Sequence, residues 1–180
     1  MLVEAAVRVF RGRDPTEVGL DEVAEAGGVS RSLVYAYFGD RGGLIASVYL
    51  HNLERFDAEL GWELELGPPD RTRLEGIVAR CLRFARDSEA EWNVMASTGS
   101  LLHPAVRAAR DARIERIATA WGPGPAARLV AHGVVGLLEA GAQDWIDHHD
   151  SPIEAAAEVL CAMLWGGLAE LPDSGLLAAG

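Results

Sequence analysis

A chain of 180 residues, 49% of them hydrophobic, suffices for one domain or one domain with a small appended module, and is too apolar for a disordered segment. Its formal net charge of −11 excludes a nonspecific nucleic-acid coat, which needs a broad basic surface. The chain has no lysine, so arginine carries all its positive charge, and Cys81 and Cys161 read as small core hydrophobes in a reducing compartment. With no long apolar run and no basic-then-apolar start, the expected location is the cytoplasm, without a membrane span.

Helical spacing dominates, and no alternating strand pattern appears, so the fold class is all-α. Leu2, Val3, Ala6, Val9 and Phe10 mark a first helix that ends at "RGRDP". Leu20, Val23 and Ala24 mark a short second helix that stops at Gly27-Gly28, and Ser30 caps a third running to Phe38. Asp40 caps a fourth, with Leu44, Ile45, Val48, Tyr49 and Leu53 on its inner side. Beyond the break "GPPD" at 67–70, helices are expected near Arg71–Asp87, Glu91–Ser97, Pro104–Trp121, Pro125–His148 and Pro152–Leu171. "SPIE" at 151–154 has the form of a capping box with proline at the first helical position, and the tail after Pro172 is expected to fray.

The stretch "GVSRSLVYAYFGDR", residues 28–41, carries two arginines and three aromatics, and no carboxylate occurs between Glu25 and Asp40. Ala24 supplies the small residue where two short helices cross, Gly28 tolerates a positive φ in the turn, and Val23, Val29 and Val34 close the core between them. This is a helix-turn-helix pattern, with Ser30–Phe38 as the recognition helix entering the major groove. A carboxylate on that surface would face phosphate. On spacing alone, a helical hairpin in an all-α core remains the competing reading.

The block from Leu2 to Leu53, "LVEAAVRVF" followed by "LDEVAEAGGVSRSLVYAYFGDRGGLIASVY", resembles the DNA-binding domain of the TetR family of bacterial transcriptional regulators. The resemblance implies a three-helix DNA-binding domain over 1–50 and a larger helical ligand-binding and dimerisation bundle over 51–180. It places Arg31, Ser32, Leu33 and Tyr35 where the recognition helix meets bases and nearby backbone. Tyr37 falls where a phosphate-contacting His or Tyr is usual, and Arg41 where a phosphate-binding Lys is usual. The chemistry agrees: arginine can donate two bonds to guanine, and tyrosine hydroxyls reach phosphate. Phe38 reads as packing between helices, whereas Tyr35 is divided between packing and DNA contact.

The sequence also departs from the family pattern. Leu33 stands where Thr is frequent, and Ala36 where a large aromatic is frequent. Gly42-Gly43 replaces the usual acidic pair, weakening the start of helix four by about 1 kcal/mol per glycine and marking a flexible point. The basic arm that often precedes the first helix has no counterpart before Met1, in nature or through a misassigned start. Weaker or more salt-sensitive DNA binding is expected. Residues 1–50 carry a net charge of −2 and residues 51–180 one of −9, so the acidity lies mostly away from the proposed DNA face.

In the second region, the last two helices are apolar over most of their circumference and contain Gly133, Gly136, Gly141, Gly166 and Gly167. A helix apolar nearly all round must be covered on nearly all sides. The expectation is a homodimer through 125–148 and 152–171, as the resemblance also implies. A small-molecule cavity is implied by the family, with Trp92, Met95, Leu101, Trp121 and Trp145 as candidate wall residues that could equally be plain core. Arg107 and Arg110 could favour an acidic ligand or lie on exposed surface. His148-His149-Asp150 suits a helix C-terminus without metal. No cofactor is expected, and no catalytic motif appears, so an enzyme is not expected. The expected function is a repressor released from double-stranded operator DNA by a small molecule. The alternative is a helical protein-interaction module whose helix-turn-helix no longer binds DNA.

Overall fold

Ala5, Ala6 and Phe10 are buried along one stripe of a nine-residue helix, with Leu2 and Val9 partly buried against the same core. In the computed structural model, the residues described are 2–11, 13–14, 17–96 and 103–169. Among them there are helices and no strands. In chain order these are α1 (Leu2–Phe10), α2 (Leu20–Gly27), α3 (Arg31–Phe38), α4 (Arg41–Phe56), a π-helical turn (Asp57–Gly61), α5 (Trp62–Leu64), α6 (Arg71–Asp87), α7 (Glu89–Ala96), α8 (Pro104–Trp121), α9 (Pro125–His148) and α10 (Ile153–Ala169). Leu101, the far end of the last expected helix and the expected frayed tail lie outside the described residues.

Two expected boundaries move. α7 begins at Glu89 because the Ser88 carbonyl already accepts the Trp92 N–H at 2.8 Å. α10 begins at Ile153, and Pro152 sits one residue outside, its carbonyl accepting the N–H groups of Ala155 and Ala156. A shift of one or two residues is ordinary at a helix end.

Contacts group the chain into two units, residues 1–55 with 88–109, and residues 56–87 with 110–180. The expected boundary at residue 50 therefore falls inside α4, and the first unit also takes in α7 and the start of α8. The chain passes between the units at the end of α4, after α6, and within α8. α8, like the end of α4, therefore runs from one unit into the other.

The first unit packs Phe10, Val18, Leu20, Val23, Ala24, Val34, Phe38, Leu44, Ile45, Val48 and Val94 into one core, with Val29 partly buried against it. A second cluster joins Tyr49 and Leu53 of α4 to Met95 and Val106. Buried Asn52 donates to the Glu91 carbonyl at 3.1 Å, fixing α4 to α7 by a bond that water does not compete for.

In the second unit, α10 packs along α6, and α9 packs on both. α9 and α10 approach closely at Gly141, where an added Cβ would lie 2.3 Å from a Leu160 methyl. Arg113, almost fully buried, pairs with Asp57 at 2.8 Å and lies 4.9 Å from the centroid of the Phe56 ring. Asp57 opens the π-helical turn, so the irregularity in the backbone carries the anion that a buried arginine requires.

Candidate nucleic-acid interface

Local chemistry sets the turn between α2 and α3. Gly28 adopts φ +62°, the left-handed conformation that an L side chain resists. The following N–H, from Val29, closes α2 by donating to the Ala24 carbonyl at 3.0 Å. Ser30 Oγ then accepts the Leu33 N–H at 3.3 Å and starts α3. At the other end, Gly39 at φ +76° closes α3, and Asp40 accepts the Gly43 N–H at 2.8 Å to start α4.

α3 is eight residues long and buries two of them, Val34 and Phe38, four apart on one side. Everything else faces out: Arg31, Ser32, Leu33, Tyr35, Ala36 and Tyr37. The Leu33, Tyr35 and Tyr37 side chains are each about half exposed. Phe38 is core, as expected, and Tyr35 does not pack between helices. Ser32 shares a 3.0 Å hydroxyl contact with Ser30, and the Tyr37 ring stands edge-on to Phe38 with centroids 4.7 Å apart. Arg41 is exposed at the first residue of α4. The six residues expected at the DNA face thus lie on the outer side of α3 and the adjoining start of α4.

The structure adds a residue that spacing did not reveal. Asp21, in the first turn of α2, places Oδ2 3.1 Å from Arg31 Nη1. A window free of carboxylate in sequence is not free of it in space. The signal was faint: Asp21 and Arg31 are ten residues apart and meet only because the Gly28 turn folds α3 back. Beside it, Glu22 accepts the Gly19 N–H at 3.0 Å and pairs with Arg13, whose guanidinium, followed by that N–H, holds the carboxyl below its ordinary range.

The glycine pair at 42–43 is corrected by the same geometry. A Cβ at Gly43 would lie 2.0 Å from the Phe38 carbonyl oxygen, so close approach, not flexibility, requires this glycine. At Gly42 an added Cβ would sit 3.2 Å from Asp40 Oδ1 and 3.7 Å from the His103 ring.

The candidate wall residues divide between the two units. Trp92 and Met95 are buried in the first unit, Trp121 and Trp145 in the second. Trp121 donates its indole N–H to the Leu64 carbonyl at 2.6 Å and so ties α8 to α5, whereas Trp145 donates to the Ser151 carbonyl at 3.0 Å and holds the connection that follows α9. Arg110 pairs with Glu139, whose carboxyl burial pushes up while the arginine opposes. His149 takes φ +49° at the end of α9, and His148 Nδ1 lies 2.8 Å from the Asp144 carbonyl, an interaction that raises its pKa. Among the described residues no group of three or more His, Cys, Asp or Glu could hold a metal ion, and no helix is long and apolar enough to cross a membrane.

Two family models match the chain. Residues 2–48 match the model described as bacterial regulatory proteins, tetR family, and residues 71–167 match the tetracyclin repressor-like C-terminal domain. The chain belongs to the TetR family. It is a DNA-binding transcriptional regulator. The HTH-type transcriptional activator FasR of Mycolicibacterium smegmatis is 26% identical over 182 residues, covering 95% of this chain and 83% of that protein. A TetR-like transcriptional regulator from Rhodococcus sp. RHA1 superposes with a TM-score of 0.68 at 27% identity over 94% of each chain. FadR from Bacillus subtilis, solved in complex with stearoyl-CoA, shares the TetR fold at a TM-score of 0.73 and 13% identity, covering 92% of this chain and 97% of that one.

Proposed function

We propose that this TetR-family regulator is a homodimeric repressor that contacts its operator through α3 and leaves it when a small, largely apolar molecule binds the helical second unit. The outer face of α3 carries the DNA half of this reading: exposed arginine, serine and tyrosine are the donors that reach bases and phosphate. Arg31 is assigned to a guanine edge, Ser32, Leu33 and Tyr35 to bases and nearby backbone, and Tyr37 and Arg41 to phosphate. The same face weighs against an interaction module that has lost DNA binding.

The dimer half is supported by two open stripes. On α9, Leu129, Gly133, Gly136 and Ala140 recur at helical spacing. On α10, Ala155, Val159, Ala162, Met163 and Gly166 do the same. Leu129, Val159 and Met163 are exposed, and a Cβ at any of the three glycines named would meet nothing within 4 Å. None of the residues named is charged, and the nearest charge, Glu158, stands at the edge of the α10 stripe, an apolar centre with a polar rim that suits a copy of the same surface. Paired in this way, two recognition helices meet major grooves about 34–36 Å apart, or at a longer spacing on the same face.

Selection from a random duplex pool tests the DNA half: an enriched inverted repeat is the expected result, and no enrichment at low salt rejects it. Arg31→Ala should cost about 1–3 kcal/mol and relax base preference at one position. Arg41→Ala should weaken all sequences alike and flatten the salt slope. For the ligand, stearoyl-CoA is one first probe, and affinity is measured with and without operator. Linkage requires DNA to weaken ligand binding by the factor by which ligand weakens DNA binding, and equal affinities reject the coupling. FasR is named an activator, so the second reading is activation; transcription from a promoter carrying the selected repeat, with and without the protein, separates the two.

A further inference from the structure

Asp21 and Arg31 form an exposed pair, with side-chain exposures of 45% and 74%. A pair this wet adds little to stability. The other oxygen of Asp21, Oδ1, is enclosed and accepts no hydrogen bond among the described residues, a cost to folding. The carboxylate also stands beside the surface proposed to meet phosphate, where it opposes DNA of any sequence. Its place in the first turn of α2 gives the carboxylate a modest return through the helix dipole, but any acid in that turn would supply the same, and the contact with Arg31 is left to be explained.

Orientation of Arg31 explains it. An exposed arginine samples many rotamers, whereas reading guanine requires the planar fork to lie along the base edge. Contact between Asp21 Oδ2 and Nη1 restrains the guanidinium and leaves its Nε–Nη2 side free to donate two parallel bonds. α2 and α3 are fixed to each other by Val23, Ala24 and Val34 in the shared core, so the carboxylate is held on a rigid element.

We propose that Asp21 is a positioning residue for base recognition, holding the Arg31 guanidinium in the orientation that reads a guanine edge. The proposal rests on the reading of Arg31 as the base contact. It distinguishes two effects of opposite sign: Asp21 improves discrimination between sequences and lowers affinity for DNA in general.

The test uses the full chain with Asp21→Ala, Asp21→Asn, Arg31→Ala and the Asp21→Ala/Arg31→Ala double variant. Each binds the duplex enriched from a random pool, that duplex with its guanine replaced, and an unrelated duplex, at one salt concentration. Asp21→Ala is expected to lose about tenfold in discrimination at the guanine and to bind the unrelated duplex more tightly. Asp21→Asn, which keeps one accepting oxygen, is expected to retain part of the discrimination. In the Arg31→Ala background, Asp21→Ala should change discrimination no further. If Arg31→Ala abolishes discrimination while Asp21→Ala leaves it intact, the positioning role is overturned and the Arg31 contact stands. If Asp21→Ala strengthens selected and unrelated duplexes by the same factor, Asp21 only masks charge, and the proposal is again overturned. Discrimination unchanged in Arg31→Ala overturns the base-contact reading, and the proposal with it.

Discussion

α3 and the α9–α10 pair both leave apolar side chains in water, yet their surroundings differ. On α3, Leu33, Tyr35 and Tyr37 alternate with Arg31 and Ser32, and two of the three end in a hydroxyl. On α9 and α10, Leu129, Val159 and Met163 alternate with alanine and open glycine, and polar residues such as His132 and Glu158 lie only at the margin of their stripes. Exposed apolar area alone therefore does not name a partner. Interleaved donors fit a surface of phosphate and base edges, whereas small uncharged residues fit another helix at short range.

The sharpest break in this comparison lies within α3 itself. Phe38→Ala, at a side chain 6% exposed, should cost about 3–5 kcal/mol of stability. Tyr37→Ala, its neighbour at 59% exposure, should stay within about 0.5 kcal/mol and lose DNA affinity instead. Denaturant melts and duplex titrations on both variants check the contrast.

On the α9–α10 stripes, Met163→Asp or Gly136→Asp should place an unpaired charge in the dimer, at a cost of about 3–5 kcal/mol per site, and yield a folded monomer in sedimentation. Leu164→Asp is not an equivalent test, since Leu164 is buried within its own chain and the change should destabilise the subunit itself. A Met163→Asp variant that sediments as wild type would remove α10 from the interface.

Gly43→Ala should destabilise by about 1–3 kcal/mol, because the new methyl meets a backbone carbonyl that cannot swing aside. Weaker operator binding should accompany it, since that carbonyl belongs to the last residue of α3. A Gly43→Ala variant with unchanged melting would restore the reading of this glycine as a hinge.

The smallest effect concerns Glu22. Its folded-state pKa lies below the unfolded value, so it contributes stability above the ordinary carboxylate range, and the contribution is lost as pH falls through the lowered pKa. Glu22→Gln should remove that part of the pH dependence, visible below about pH 4.5 in melts of the two proteins. An ordinary titration of Glu22 by NMR would show that the Arg13 contact does not persist in solution.

The stop signals of this chain were legible because they are local. Gly28, Ser30, Gly39 and Asp40 act on backbone within three or four residues, and the helix starts at Arg71, Pro104 and Pro125 follow from spacing and proline. The exposed side of α3 was legible for the same reason, since α3 is short enough that burying Val34 and Phe38 forces the rest outward. Asp21 escaped because its contact depends on the angle of a turn. The tryptophans were ambiguous because size and apolarity suit a pocket wall and a core equally, and only the bonds to Leu64 and Ser151 show that Trp121 and Trp145 tie backbone together.

By itself, then, the sequence determined most helix starts to within two residues, though not the π-helical turn and α5 that follow α4, and it set the two buried positions of α3, since periodicity and capping are properties of neighbours along the chain. Only the tertiary structure decided that α7 and the start of α8 group with the first unit, that Gly43 is a steric necessity, and that a carboxylate stands beside Arg31. Each of these depends on a distance between segments remote in sequence, which core packing sets to within an ångström and no local pattern encodes.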